Sequence, residues 1–228
     1  MLIAICLVGV LVFHSYYYES VYVHGPSMSP TLTGGTAENE VVDFGIVDTH
    51  KAAINHIKRF DIVSTYFPED YSSSVLSPTA RKKIKRIIAM PGETFIIKDG
   101  LLSVKEGDEF VNKPYNFKVS AKTTAKDTVN PITLGENEYW VLGDNRTNSS
   151  DSAIIKSPIK KEYICGVLVA IEGQAKLKVT AKVCTNRSCK NCGKKIKNNN
   201  GNACSVCYEI LEPVYGLKNK HYHWPMFF

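Results

Sequence analysis

Ser27-Met28-Ser29-Pro30-Thr31-Leu32 sets a serine directly behind a Gly25-Pro26 turn, and its reading depends on finding that serine a base. A serine hydroxyl is a poor nucleophile until a neighbouring group takes its proton. Ile84-Lys85-Arg86 offers such a group, a lysine amine, provided its pKa falls well below the ordinary value of about 10.4. Lowering it to near 8 takes about 3 kcal/mol of bias against the ammonium form. Apolar burial can supply that bias, and Ile84, Ile87 and Ile88 flank the lysine. Taken alone, Arg81-Lys82-Lys83 beside it reads as a solvated charge run. Side chains alternate along a strand, so the expectation is that Lys85 faces inward between outward Ile84 and Arg86. Serine and lysine behind an apolar N-terminus read as a membrane-held serine peptidase.

Outward from these two segments the chain is mainly β. Val21–Val23, Ile62–Tyr66, Ile84–Met90, Thr94–Ile97, Leu101–Val104, Glu138–Leu142 and Ile164–Ile171 are β-branched or aromatic and are separated by Pro-Gly, Asp-Gly and Gly-Asp turns. Lys98-Asp99-Gly100-Leu101 reads as a hairpin turn. The mix predicts a β-barrel or sandwich domain over 19–173, with a softer insertion at about 106–130. Tyr71 to Thr79 is Ser-rich and reads as a loop.

Leu2 to Phe13 is an uncharged apolar run followed by Tyr16-Tyr17-Tyr18, residues suited to a membrane–water interface. It falls short of the roughly 20 residues that span a bilayer comfortably. A cleaved leader would need a basic start and a small-x-small site, and neither is evident. The expectation is one N-terminal membrane helix over 1–18, on a chain that starts a few residues into it; a buried element of a soluble fold is the competing reading. The net charge of +6 is unevenly placed. From Gln174 onward there are ten Lys/Arg and two Asp/Glu, which leaves 18 basic against 20 acidic residues in the rest. The basicity therefore belongs to the tail and is no sign of a nucleic-acid partner for the catalytic part.

Arg59-Phe60-Asp61-Ile62-Val63, Lys85-Arg86-Ile87-Ile88-Ala89-Met90-Pro91-Gly92-Glu93 and Gly143-Asp144-Asn145-Arg146-Thr147-Asn148-Ser149-Ser150-Asp151-Ser152 follow the serine block in order. The set closely resembles the bacterial type I signal peptidases, Ser–Lys enzymes that remove signal peptides from exported preproteins. The resemblance covers roughly Tyr16 to Gly173 and implies the β-barrel or sandwich fold of that family. It implies that Ser27 is the nucleophile and Lys85 the general base, with no cofactor for catalysis. It implies that Ser149 orients the lysine amine, that Asp144, Arg146 and Asp151 hold the loop around it, and that Arg86 is structural. The oxyanion donors it implies are the Ser27 N–H and a backbone contribution at Gly25, where some members carry a serine. Cleavage is expected after small-x-small sites such as Ala-x-Ala, with Val21 to Val23 pairing with the substrate backbone. Val23, Met28, Leu32 and Ile84 are the expected pocket walls, with core packing as the alternative for each.

Two departures stand out. Phe60 occupies a usual glycine, putting a ring where the backbone turns tightly, and Ala153 replaces an arginine, leaving Asp151 short of a salt-bridge partner. A self-cleaving repressor-type Ser–Lys peptidase would lack the anchor and the Gly-Asp-Asn-Arg block. An ER-type signal peptidase would carry histidine at Lys85. A silent anchored binding protein would have lost Ser27 or Lys85, and both are present. The implied setting is the plasma membrane of a bacterium, a single-pass protein with its catalytic domain on the outer face. Its partners there are preprotein signal peptides, the lipid bilayer and, by proximity, the secretion machinery.

The tail, 174–228, carries Cys189-x2-Cys192 and Cys204-x2-Cys207, with eleven residues between the pairs. Two such knuckles match a small four-cysteine zinc ribbon, a closed and therefore structural site; two disulfides are the competing reading.

Overall fold

In a computed structural model the described residues are 16–35, 41–77, 80–120 and 124–179, with short strands at 187–188, 194–195, 208–214 and 220–221. The apolar start up to Ser15 lies outside them, and so do Cys189, Cys192, Cys204 and Cys207. Among the described residues no helix is long and apolar enough to cross a membrane.

The strands are β1 (Tyr18–Tyr22), β2 (Val41–Asp48), β3 (Ile62–Thr65), β4 (Tyr71–Ser72), β5 (Val75–Leu76), β6 (Lys83–Ala89), β7 (Thr94–Lys98), β8 (Leu101–Glu106), β9 (Glu109–Asn112), β10 (Ile132–Thr133), β11 (Glu138–Leu142), β12 (Ile159–Lys160) and β13 (Ile164–Val179). Two short helices, α1 (Lys51–Asn55) and α2 (Ser152–Ile155), complete this part. The main sheet runs β1-β2-β13-β3-β6-β11-β12, and a second runs β10-β7-β8-β9. Every strand expected from the sequence is present, within a few residues at the ends. β2 was not expected: Asp43 and Gly45 interrupt its apolar pattern. Both have packing reasons, since Asp43 accepts from Thr33 N–H and Gln174 Nε2, and a Cβ on Gly45 would meet the Ala170 carbonyl at 2.8 Å. β13 continues without a break through Gly173, the position where the composition changes. The expected hairpin joins β7 to β8, with Asp99 (φ 51°) and Gly100 (φ 73°) both left-handed, as the tight turn between twisted strands requires.

β6 is the strand on which the site depends. It lies between β3 and β11, and Lys85 through Ala89 are all buried. Ile87 packs with Val63, Phe67 and Val141 in one cluster, whereas Ile88 packs with Phe95, Trp140 and Leu142 in another. Each fully buried side chain of this size stabilises the fold by roughly 1.5–3 kcal/mol. A third cluster joins Val23, Met28 and Leu32 to Val47, Ile62, Leu168 and Ile171 beneath the serine turn. The expectation that Arg86 points to solvent is wrong: it is 4% exposed, because this strand is covered on both faces.

Phe60 keeps the glycine-like conformation with φ 75°, which costs a side-chain-bearing residue about 1–2 kcal/mol. The turn holds because Phe60 N–H donates to the Ile87 carbonyl at 2.9 Å and the Phe60 carbonyl accepts from Arg86 Nη1 at 2.8 Å. The ring is edge-on to Tyr115 and Phe117, with centroids 5.8 and 5.3 Å away. Each such aromatic pair contributes about 0.5–1.5 kcal/mol beyond burial. The segment expected to be a soft insertion thus packs back on the turn. Phe60→Gly is expected to destabilise the protein by about 1 kcal/mol in chemical denaturation, because lost ring packing outweighs relief of the backbone.

Candidate active site

Gly25 (φ 75°) turns the chain out of β1 into a single 3-10 turn, Pro26–Met28. Met28 is fully buried below that turn, which leaves Ser27 half-buried at its middle. From β6, Lys85 Nζ reaches Ser27 Oγ at 3.0 Å and donates to the Ile84 carbonyl at 2.9 Å. Two residues 58 positions apart are thereby brought into hydrogen-bond contact. Lys85 is 4% exposed, and burial is the main cause that lowers its pKa from 10.5 to about 8. Asp151 and Asp144 pull it up; Lys83 and Lys126 push it down.

The Gly143–Asp151 loop clamps the serine turn. Asn145 N–H donates to the Ser27 carbonyl at 3.0 Å, and Asn145 Nδ2 donates to the Pro26 carbonyl at 3.1 Å. A Cβ on Gly143 would lie 2.4 Å from the Ser27 carbonyl oxygen and 2.2 Å from Ser149 Oγ, so only glycine allows this approach. Asp144, fully buried, takes two hydrogen bonds from Arg86, Nε to Oδ1 at 2.8 Å and Nη2 to Oδ2 at 2.5 Å. The Arg86 guanidinium also lies 3.9 Å from the centre of the Phe117 ring. Arg86 makes all these contacts from a buried position.

The other expected residues have the following partners. Ser149 Oγ is buried without a hydrogen-bond partner among the described residues; the two acceptors of Lys85 Nζ are Ser27 and Ile84. Arg146 is held by aromatic and hydroxyl groups: its N–H donates to Ser120 Oγ, Nη1 donates to Tyr115 Oη, and the guanidinium sits 4.8 Å from the Tyr115 ring centre. Asp151 does not lack a partner. Lys126 Nζ donates to Asp151 Oδ1 at 3.0 Å and to the Ser149 carbonyl at 2.7 Å. The sequence reading missed Lys126 and left Asn145 without a role. Nothing local marks Lys126 among the other lysines of its segment, whereas Asn145 sits inside a recognised block.

A groove of about 340 Å³ opens at the dyad, lined by residues 19–24 of the β1 side, by Lys82 to Lys85, and by Ser27, Met28 and Ser64. Val23, Met28 and Ile84 line it, and Val23 and Met28 are also buried in the core cluster beneath. Leu32 does not; it is 1% exposed and packs in the core beneath. Glu19 and Lys82, one on each wall, form a salt bridge at 2.5 Å. Among the described residues there is no cluster of side chains fit to hold a metal ion.

A family model described as signal peptidase, peptidase S26, matches residues 1–171. Signal peptidase I P of Bacillus subtilis subsp. natto is 32% identical over 173 residues, covering 72% of this chain and 82% of the relative. Signal peptidase I T of Bacillus subtilis (strain 168) is 28% identical over 171 residues, covering 72% of this chain and 78% of the relative. A solved signal peptidase I from Enterococcus faecalis V583 is 26% identical and covers 49% of this chain and 96% of its own, with a TM-score of 0.36, too low to bear on the fold.

The site's electrostatics are testable without a substrate. An NMR titration of the Lys85 side chain is expected to show a midpoint near 8, against 10.5 for an unperturbed lysine. The amine is charged below that pH and neutral above it, so any chemistry that needs it as a base rises as pH increases through 8.

Proposed function

We propose how this chain works from one premise: it belongs to the signal peptidases of peptidase family S26, and it cleaves signal peptides from preproteins as a serine endopeptidase. The observation that carries the mechanism is the 3.0 Å contact between Lys85 Nζ and Ser27 Oγ. Neutral Lys85 takes the Ser27 proton as Oγ attacks the carbonyl carbon of the scissile peptide bond. The resulting oxyanion is held by the Ser27 N–H with a backbone contribution at Gly25. On collapse the Lys85 ammonium returns its proton to the leaving amine, which is the new N-terminus of the mature protein. Lys85 then activates a water that releases the signal peptide from Ser27.

The preprotein binds as an extended strand in the groove beside β1, with the small residues before the cut set against Val23, Met28 and Ile84. The apolar N-terminus anchors the protein as a single pass in the bacterial plasma membrane, with the groove on the outer face, where signal peptides emerge beside the secretion machinery. Cys189, Cys192, Cys204 and Cys207 hold a structural zinc in the tail.

The purified protein in detergent is expected to cut a preprotein after the second alanine of an Ala-x-Ala site. Ser27→Ala and Lys85→Ala should each lower the rate roughly 10³-fold or more. Cleavage that survives Lys85→Ala would assign the base elsewhere, and no cleavage by folded wild type would remove the mechanism. Metal analysis is expected to find one zinc per chain, lost on replacing Cys189 and Cys204; a metal-free tail with oxidised cysteines would replace the ribbon by disulfides.

A further inference from the structure

Lys126 is 3% exposed, a burial in which a lysine keeps its charge only when that charge is matched. Its match is Asp151, which is fully buried and accepts from Lys126 Nζ at 3.0 Å and from Gly143 N–H at 3.1 Å. The same ammonium donates to the Ser149 carbonyl at 2.7 Å, so it ties both ends of the arc that carries Ser149. Asp144, the other buried carboxylate of this loop, is matched by Arg86. Each carboxylate therefore has a cation of its own, and among the described residues Lys85 has no salt bridge to either.

We propose that Lys126 is a positioning residue for catalysis: by occupying the Asp151 carboxylate it keeps that negative charge from stabilising an ammonium at Lys85, and by holding Ser149 it sets the loop against the serine turn. The proposal rests on the reading of Lys85 as general base. A buried carboxylate stripped of its cation favours any positive charge in reach. Four charged groups act on the Lys85 amine. Asp151 and Asp144 lie on the loop, Lys126 on the turn Thr124–Lys126, and Lys83 on β6 itself, paired with Asp70 at 2.6 Å. Burial is the largest influence on that amine, and Lys126 acts in the same direction. Removing Lys126 therefore raises the Lys85 pKa and moves the acidic limb of activity to higher pH.

The test is the pH dependence of kcat/KM on a preprotein, for the full chain in detergent. Lys126→Met is expected to shift the acidic limb upward by about one unit, and so to lose roughly tenfold in rate at pH 7. Lys126→Arg should restore the limb. Lys126→Met/Asp151→Asn, which deletes the charge pair together, should return the limb to within about half a unit of wild type whatever its maximal rate. An unmoved limb in Lys126→Met, with only the melting temperature lowered, would overturn the proposal. Should Lys126→Met fail to fold, the double variant decides: a limb far below wild type would mean that Lys126 never offset Asp151. Ser27→Ala and Lys85→Ala run alongside. Activity surviving in either defeats the dyad itself, whereas loss in both with an unmoved Lys126→Met limb defeats only this role.

Discussion

The whole arrangement depends on making one ammonium ion costly. A lysine with the ordinary pKa is almost wholly charged at neutral pH and useless as a base. Bringing Lys85 from 10.5 to about 8 requires about 3 kcal/mol, and the largest cause is taking the amine out of water. That is why β6 is covered on both faces, with Ile87 and Ile88 in separate clusters and β3 and β11 on either side. The strand that buries Lys85 is the strand that two of the core clusters share.

Burying one amine forces the surroundings to settle their own charges. A buried carboxylate without a cation would oppose the shift, and a buried cation without a carboxylate would be costly in itself. Asp144 with Arg86 and Asp151 with Lys126 answer both demands, and Gly143 lets the loop that carries them close on the carbonyl of Ser27. The aromatic residues of the 115–117 segment extend the same logic: Phe117 covers Arg86 and Tyr115 covers Arg146, while Phe60 packs against both rings. The glycine-to-phenylalanine departure thus has a structural counterpart. The strained turn is offset by a ring that draws the segment onto the site.

Much of this was legible from the chain. The strands follow from β-branched runs between turn residues, and the hairpin from Asp99-Gly100, because those signals are local. β2 was not legible, since Asp43 and Gly45 make sense only beside Gln174 and Ala170 on another strand. Arg86 was read as outward because alternation predicts opposite faces, but it does not say whether both are covered. Lys126 was lost among the basic residues of a segment whose packing depends on partners distant in sequence.

The sequence by itself pointed to Ser27 and Lys85 as the proposed pair, to the order of the blocks that frame it and to the family to which the chain belongs, because residue identity decides which group can attack and which can take a proton. Only the tertiary structure decided which charges meet. The distances from Lys85 to Ser27 and from Lys126 to Asp151 span 58 and 25 positions of chain, and Coulomb and desolvation energies depend on separation in space and on burial. Neither quantity is written in the order of residues.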